Sequence, residues 1–143
     1  LGNICRSPLA EGVLRSMLDK EHFMIDSAGT ASYHTGEKPD ERSIIIAREN
    51  GVDISKLRAR TFTKEDFEKF DYIFVMDKSN YKNVIKLAKK EEDKLKVSFL
   101  LDELGEPQQK ELPDPYYGNM LDFQKVYNDI LQACKVITEK LSK

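Results

Sequence analysis

Two cysteines and two histidines are all that this 143-residue sequence holds of thiol and imidazole chemistry. Cys5 and Cys134 lie near opposite ends of the chain, which excludes a disulfide framework and fits a reducing compartment, the cytoplasm. His22 and His34 have no companions at metal-ligand spacing, so no metal or other cofactor is expected. His22 reads as a surface residue and His34 as a loop residue near a rim. A charge excess is lacking as well: 23 Lys and Arg against 25 Asp and Glu give a net charge of −2. That balance supplies no electrostatic draw to nucleic acid or to an anionic membrane. No apolar run approaches the roughly 20 residues that span a bilayer, and no signal-peptide pattern is visible. Repeats and long linkers are also missing, so residues 1–143 read as one domain with room for a real core.

What is present alternates between helical and strand patterns. Leu9, Val13, Leu14, Met17 and Leu18 recur at helical spacing between Ser7 and about Lys20. Phe23 to Asp26 reads as a short strand ending in a loop of small residues. Pro39 to Asn50 reads as a helix closed by Gly51, and Thr63 as the cap of a short helix. An apolar strand over Tyr72 to Met76 precedes a helix over Ser79 to Glu92 and a strand over Val97 to Leu101. The last helix, Leu121 to Leu141, carries Phe123, Val126, Tyr127, Ile130, Leu131, Cys134 and Ile137 on one face. The charge-rich stretch from Lys89 to Lys96 reads as a solvated helix end. Strands separated by helices imply an α/β fold with a parallel sheet between helical layers. Ligands in such folds sit beyond the carboxyl ends of the strands, where residues 1–6 and the loops after Asp26 and Met76 would converge.

The opening segment, Leu1-Gly2-Asn3-Ile4-Cys5-Arg6-Ser7-Pro8, reads as an anion site. Gly2 permits close backbone approach, and Asn3 tolerates left-handed geometry. Successive N–H groups in such a turn form a concave nest. Ser7 suits the cap of a following helix and Pro8 its first turn, so the helix's positive end faces the nest. Arg6 adds a planar fork matched to two phosphate oxygens. Near the other end, Asp114 stands in Pro113-Asp114-Pro115-Tyr116-Tyr117-Gly118, a carboxylic acid beside aromatic rings. Pro115 fixes the turn that aims the acid.

These segments resemble the low-molecular-weight protein tyrosine phosphatases. Residues 1–5 fill the five intervening positions of that family's Cys-x-x-x-x-x-Arg-Ser signature, and Arg6-Ser7 complete it. The resemblance continues through Asp26-Ser27-Ala28-Gly29, Phe70-Asp71-Tyr72-Ile73, Met76-Asp77-Lys78-Ser79-Asn80 and Asp114-Pro115-Tyr116-Tyr117-Gly118. It implies a three-layer fold with a four-stranded parallel sheet whose first strand precedes the signature. It also implies a cysteine nucleophile immediately before Leu1. A chain starting at this point reads as one cut at its start; a protein truly beginning at Leu1 would instead be an inactive phosphate-binding module.

The implied reaction is hydrolysis of phosphotyrosine and small aryl phosphates through a phosphocysteine intermediate. Leu1, Gly2, Asn3, Ile4, Cys5 and Arg6 would bind the phosphate. Arg6, Asp114 and Ser7 would serve catalysis, Asp114 as the acid that protonates the leaving oxygen. By the resemblance, Asn3, Ser7 and Ser27 hold the loop in shape, and Tyr33, Tyr116 and Tyr117 wall a slot for a flat ring. Asp77 is expected on the same rim, contacting Arg6 or a neighbouring loop. Cys5 is open between a packed small residue and a resolving thiol for the nucleophile; its adjacency to Arg6 argues against a nucleophilic role. Cys134 reads as core. A protein-arginine phosphatase of the same fold is the alternative, though such enzymes tend to carry threonine where Ile4 stands. The expected partners are a phosphotyrosine protein or an aryl phosphate, with phosphate in the loop and a mostly monomeric chain capable of weak self-association.

Overall fold

The structure, a computed structural model, describes residues 3–31, 34–105 and 109–142. It contains helices α1 (Arg6–Met17), α2 (Glu41–Glu49), α3 (Asp66–Lys69), α4 (Lys78–Ile85), α5 (Glu91–Lys94) and α6 (Met120–Leu141), with strands β1 (Ile73–Val75) and β2 (Val97–Phe99). A 3-10 turn, Leu100–Leu104, follows β2 directly. The two strands pair in parallel, Ile73 opposite Val97 and Val75 opposite Phe99. The fold is therefore α/β with a parallel sheet.

Alternation along β1 divides the core into two clusters. Ile73 and Val75 join Val97, Phe99, Phe67 and Val84 on one face, under α3 and α4. Phe74, between them, packs on the other side against the larger cluster formed by α1, α2 and α6. Side chains two residues apart share a face of a strand, which accounts for this division. The inner face of α6, from Phe123 through Ile130 to Ile137, is buried as the periodicity requires. Its start is locked by a reciprocal capping box between Asn119 and Asp122.

Helix α2 ends as its sequence dictates. Gly51 takes a positive φ of 80°. Its N–H donates to the Arg48 carbonyl while that of Val52 donates to Ala47, the paired closure that glycine favours at this position.

Four expectations are corrected. The helix expected over Ser79–Glu92 is two helices, Lys78–Ile85 and Glu91–Lys94. Tyr81, Val84, Ile85 and Ala88 have a core to bury in, whereas α5 buries none of its residues, so nothing rewards continuing the first helix. The strand expected to reach Leu101 stops at Phe99, because Leu100 and Leu101 turn into the larger cluster through the 3-10 turn. The short helix near Thr63 begins at Asp66. Among the described residues, Phe23–Asp26 is not paired as a strand. A cavity of about 350 Å³ separates it from β1, and Met24, Ile25, Ile73 and Val75 are among its walls. Among the described residues a single parallel bridge, Gly29 to Thr61, lies outside the paired strands, so two strands stand where three were expected in this chain, the fourth being expected before Leu1.

Helix α1 approaches the Val52–Ile54 segment closely at Gly12, where an added Cβ would collide with Ile54 Cγ2 and crowd Val52 Cγ1. Gly12→Ala would gain helix propensity but overpack a fully buried contact. A net loss of about 1–2 kcal/mol is expected in urea or thermal unfolding. An unchanged midpoint would show that the Val52–Ile54 segment yields instead.

Candidate active site

The opening loop is shaped by its contacts to α2 and to the Asp26–Gly29 segment. Asn3 is buried with a left-handed φ of 63°, and Cys5 follows in right-handed geometry at φ −111° and ψ −75°. A left-handed residue followed by right-handed ones turns successive N–H groups to one side, the geometry of an anion nest. The Asn3 side chain donates to the Ser27 carbonyl at 3.3 Å. The Ile4 carbonyl accepts from the Asp40 N–H at 2.7 Å, and the Cys5 carbonyl accepts from the buried Ser43 hydroxyl at 3.1 Å. Leu1 and Gly2 lie outside the described residues.

Arg6 is 4% exposed. Its Nη1 donates to Asp77 Oδ2 at 2.9 Å and to the Leu112 carbonyl at 2.5 Å, while Nη2 lies 4.0 Å from Asp114 Oδ2. A guanidinium carries five N–H donors, so these contacts leave donors for an oxyanion. Asp77 does two jobs: its other oxygen accepts from the Asn80 N–H and caps α4. Asp114 is exposed, with Oδ1 accepting from the Tyr116 N–H at 3.0 Å. That bond orients the carboxylate within its own turn.

Of the rings expected at the entrance, Tyr116 and Tyr117 are among the described residues. Tyr116 packs edge-on to Tyr117 with centroids 4.9 Å apart. Tyr116 also leans on the larger core cluster, whereas Tyr117 is 96% exposed. His34, its Nδ1 2.8 Å from Glu37, faces Tyr116 at 6.3 Å. Tyr33 lies outside the described residues.

Ser7 is not the helix cap. Cys5 already has helical backbone angles, so α1 starts at Arg6 and Ser7 falls inside its first turn, with Pro8 beside it. Ser27 supports the loop through its carbonyl alone. Its hydroxyl donates to Glu11 Oε1 at 2.6 Å. Cys5 belongs to the larger core cluster, and burial, reinforced by Asp40 and Asp114, pushes its thiol up to about 12. Burial does the same to Cys134.

Two further residues near the site were not among those singled out in the sequence. Glu11 is buried and pairs with Arg15 at 2.7 Å, and Arg15 in turn donates to the Ile25 carbonyl. Together they tie the Ile25–Ser27 segment to α1. Arg42 spans from Asp40 to the carbonyls of Tyr116 and Gly118. An i, i+4 acid–base pair on α1 was the one available hint of the first. Nothing local marks the second.

An α/β protein with a buried arginine at the start of a helix, behind an anion nest and beside a carboxylate, belongs among phosphate-loop proteins. The chain is a member of the low molecular weight phosphotyrosine protein phosphatase family, whose profile matches residues 1–143. It is 41% identical to the mouse low molecular weight phosphotyrosine protein phosphatase over 145 residues, covering 98% of this chain and 90% of that one. The fold is similar to that of a protein tyrosine phosphatase from Entamoeba histolytica crystallised with Hepes in its active site. There the TM-score is 0.89 with 36% identity, over 99% of this chain and 92% of that one. It is also similar to the Drosophila arginine phosphatase, with a TM-score of 0.89 and 30% identity over 100% of this chain and 94% of that one. Among the described residues no helix is long and apolar enough to cross a membrane.

Burial raises the Glu11 carboxyl above its ordinary value of 4.5, against the opposing pull of Ser27 and Arg15. Between the ordinary and the raised value the folded protein binds more protons than the unfolded chain, so this group makes stability fall as pH rises through that window. Glu11→Gln removes the effect. The stability of the variant relative to the parent is therefore expected to rise as pH increases above the ordinary value of 4.5 in denaturant titrations. A difference that stays constant or falls would show that Glu11 ionises in the fold as it does in water.

Proposed function

We propose that this protein hydrolyses phosphotyrosine and small aryl phosphates through a phosphocysteine intermediate, with Arg6 binding the phosphoryl group and Asp114 as general acid. The observation that carries the reading is the buried Arg6 guanidinium, held at the nest by Asp77 and Leu112 with Asp114 4.0 Å away. In this reading residues 1–143 form one phosphatase domain, and the nucleophile is a cysteine thiolate immediately before Leu1. A thiol protonated up to about pH 12 is unsuited to that role, which speaks against Cys5.

The thiolate attacks phosphorus and the bond from phosphorus to the phenolic oxygen breaks. Asp114, entering as the carboxylic acid, gives its proton to the departing phenolate oxygen. The Asp114 carboxylate then takes a proton from water as that water attacks phosphorus. The phosphorus–sulfur bond breaks, and orthophosphate and the thiolate are released. Arg6 and the nest N–H groups of residues 1–6 stabilise the charge on the equatorial oxygens throughout. The α1 N-terminus and the Ser7 hydroxyl favour the thiolate over the thiol.

Tyr116 and Tyr117, with Tyr33, wall a slot that admits a flat ring. Ile4 sets an apolar side chain at the loop, which favours an aryl group over a guanidinium phosphate. Asn3 and Ser27 hold the loop. Supported by buried free thiols and near-neutral charge, we place the protein in the cytoplasm, mainly as a monomer with weak self-association, binding neither nucleic acid nor membrane.

Phosphate release from phosphotyrosine and phosphoarginine peptides by the full-length protein tests the reading; turnover of the first is expected, and preference for the second would replace it with the arginine phosphatase. Arg6→Lys keeps the charge but loses the fork. It is expected to lower kcat/KM by about 10²–10³-fold, and near-parental turnover would remove Arg6 from the site.

A further inference from the structure

We propose that Arg42 is a positioning residue that holds the Asp114 turn in register with the phosphate loop, so that proton transfer to the leaving group depends on it. The proposal rests on the phosphatase reading and on Asp114 as its acid.

Arg42 contacts two segments that are far apart in sequence. Its Nε and Nη2 donate to the two oxygens of Asp40 at 3.0 and 2.9 Å, a bidentate pair. Nη2 also donates to the Tyr116 carbonyl at 2.8 Å, and Nη1 donates to the Gly118 carbonyl at 2.8 Å. The guanidinium lies 4.4 Å over the ring of Phe123, which is fully buried in the first turn of α6. Such a stack fixes the plane of the fork as well as its place. Four of its five N–H donors are thus used, two on the Asp40 carboxylate and two on backbone carbonyls.

Asp40 closes the other half of the bracket. Its carboxylate caps α2 through the Arg42 N–H, and its own N–H donates to the Ile4 carbonyl of the phosphate loop. Burial raises the Asp40 carboxyl, but its bonds from Arg42 outweigh that and hold it below the usual carboxylate range. The first turn of α2 therefore holds the phosphate loop at Ile4 and Cys5, and the acid turn at Tyr116 and Gly118. The Tyr116 residue whose carbonyl Arg42 takes is the same residue whose N–H orients Asp114 Oδ1. Arg42 touches the backbone of that turn, so its effect on chemistry runs through the placement of Asp114.

Placement matters most where a proton must move. A displacement of about 1 Å can cost on the order of 10²-fold. A phenolate that leaves easily needs no proton, so only poor leaving groups register the loss. The test is kcat/KM of the full-length protein over a series of aryl phosphates of falling phenol pKa. Arg42→Met is expected to lower kcat/KM by about 10–100-fold for unactivated phenols and by less than about 3-fold for the most activated. Its leaving-group dependence should steepen toward that of Asp114→Asn, and the double variant should be no worse than Asp114→Asn alone. Arg42→Lys keeps the charge beside Asp40 and should fall between parent and Arg42→Met; it carries the same test should Arg42→Met not fold. A uniform loss across the series, with the slope unchanged, would overturn the proposal and leave the phosphatase reading standing. Absence of turnover in the unaltered protein would overturn both.

Discussion

A buried guanidinium organises this molecule. Removing a charged group from water costs several kcal/mol unless it is paired and hydrogen-bonded, and Arg6 meets that cost with the Asp77 carboxylate and the Leu112 carbonyl. Three chain segments must reach it at once: the start of α1, the end of β1 leading into α4, and the run from Leu112 to Asp114. The Asp77 carboxylate also caps α4, so the contact that satisfies Arg6 also sets where a helix begins. The Leu112 N–H in turn donates to the Met76 carbonyl at 2.8 Å, which ties the acid-bearing run to the end of β1.

The rest of the architecture divides between a packed base and a network of long-range polar ties. Phe123, Ile130 and Leu9 are fully buried between α1 and α6 and give the loops a rigid platform. On that platform the polar side chains of α1 and α2 reach outward: Glu11 and Arg15 to residues 25–27, Ser43 to Cys5, Arg42 to Tyr116 and Gly118. Each tie ends on backbone or on a buried partner. Both cysteines are kept as thiols by burial and behave as small apolar core residues.

Much of the site was legible because its signals are local. Asn3 is left-handed, and α6 buries the face marked by its apolar spacing. Asp77 meets Arg6 at the rim where the loop after Met76 was expected. The sheet was less legible. Strands of three residues carry little alternation, and whether Phe23–Asp26 pairs depends on what stands beside it across a cavity. Ser7 was misplaced by two positions because a serine before proline suits a cap, yet the cap position falls at Cys5, whose backbone is already helical. The break after Ile85 turned on burial available to Ala88 and denied to α5, a matter of neighbours far along the chain.

The sequence by itself determined the local conformations: the anion-nest loop, the capping box of α6 and the closure of α2 at Gly51. These follow from residues within a few positions of one another, where sterics and short hydrogen bonds decide. Only the tertiary structure decided which groups those side chains meet. Arg6 finds a carbonyl 106 positions away, and Arg42 finds two, 74 and 76 positions away. A backbone carbonyl carries no residue-specific signature, so its choice as a partner is set by the path of the folded chain alone.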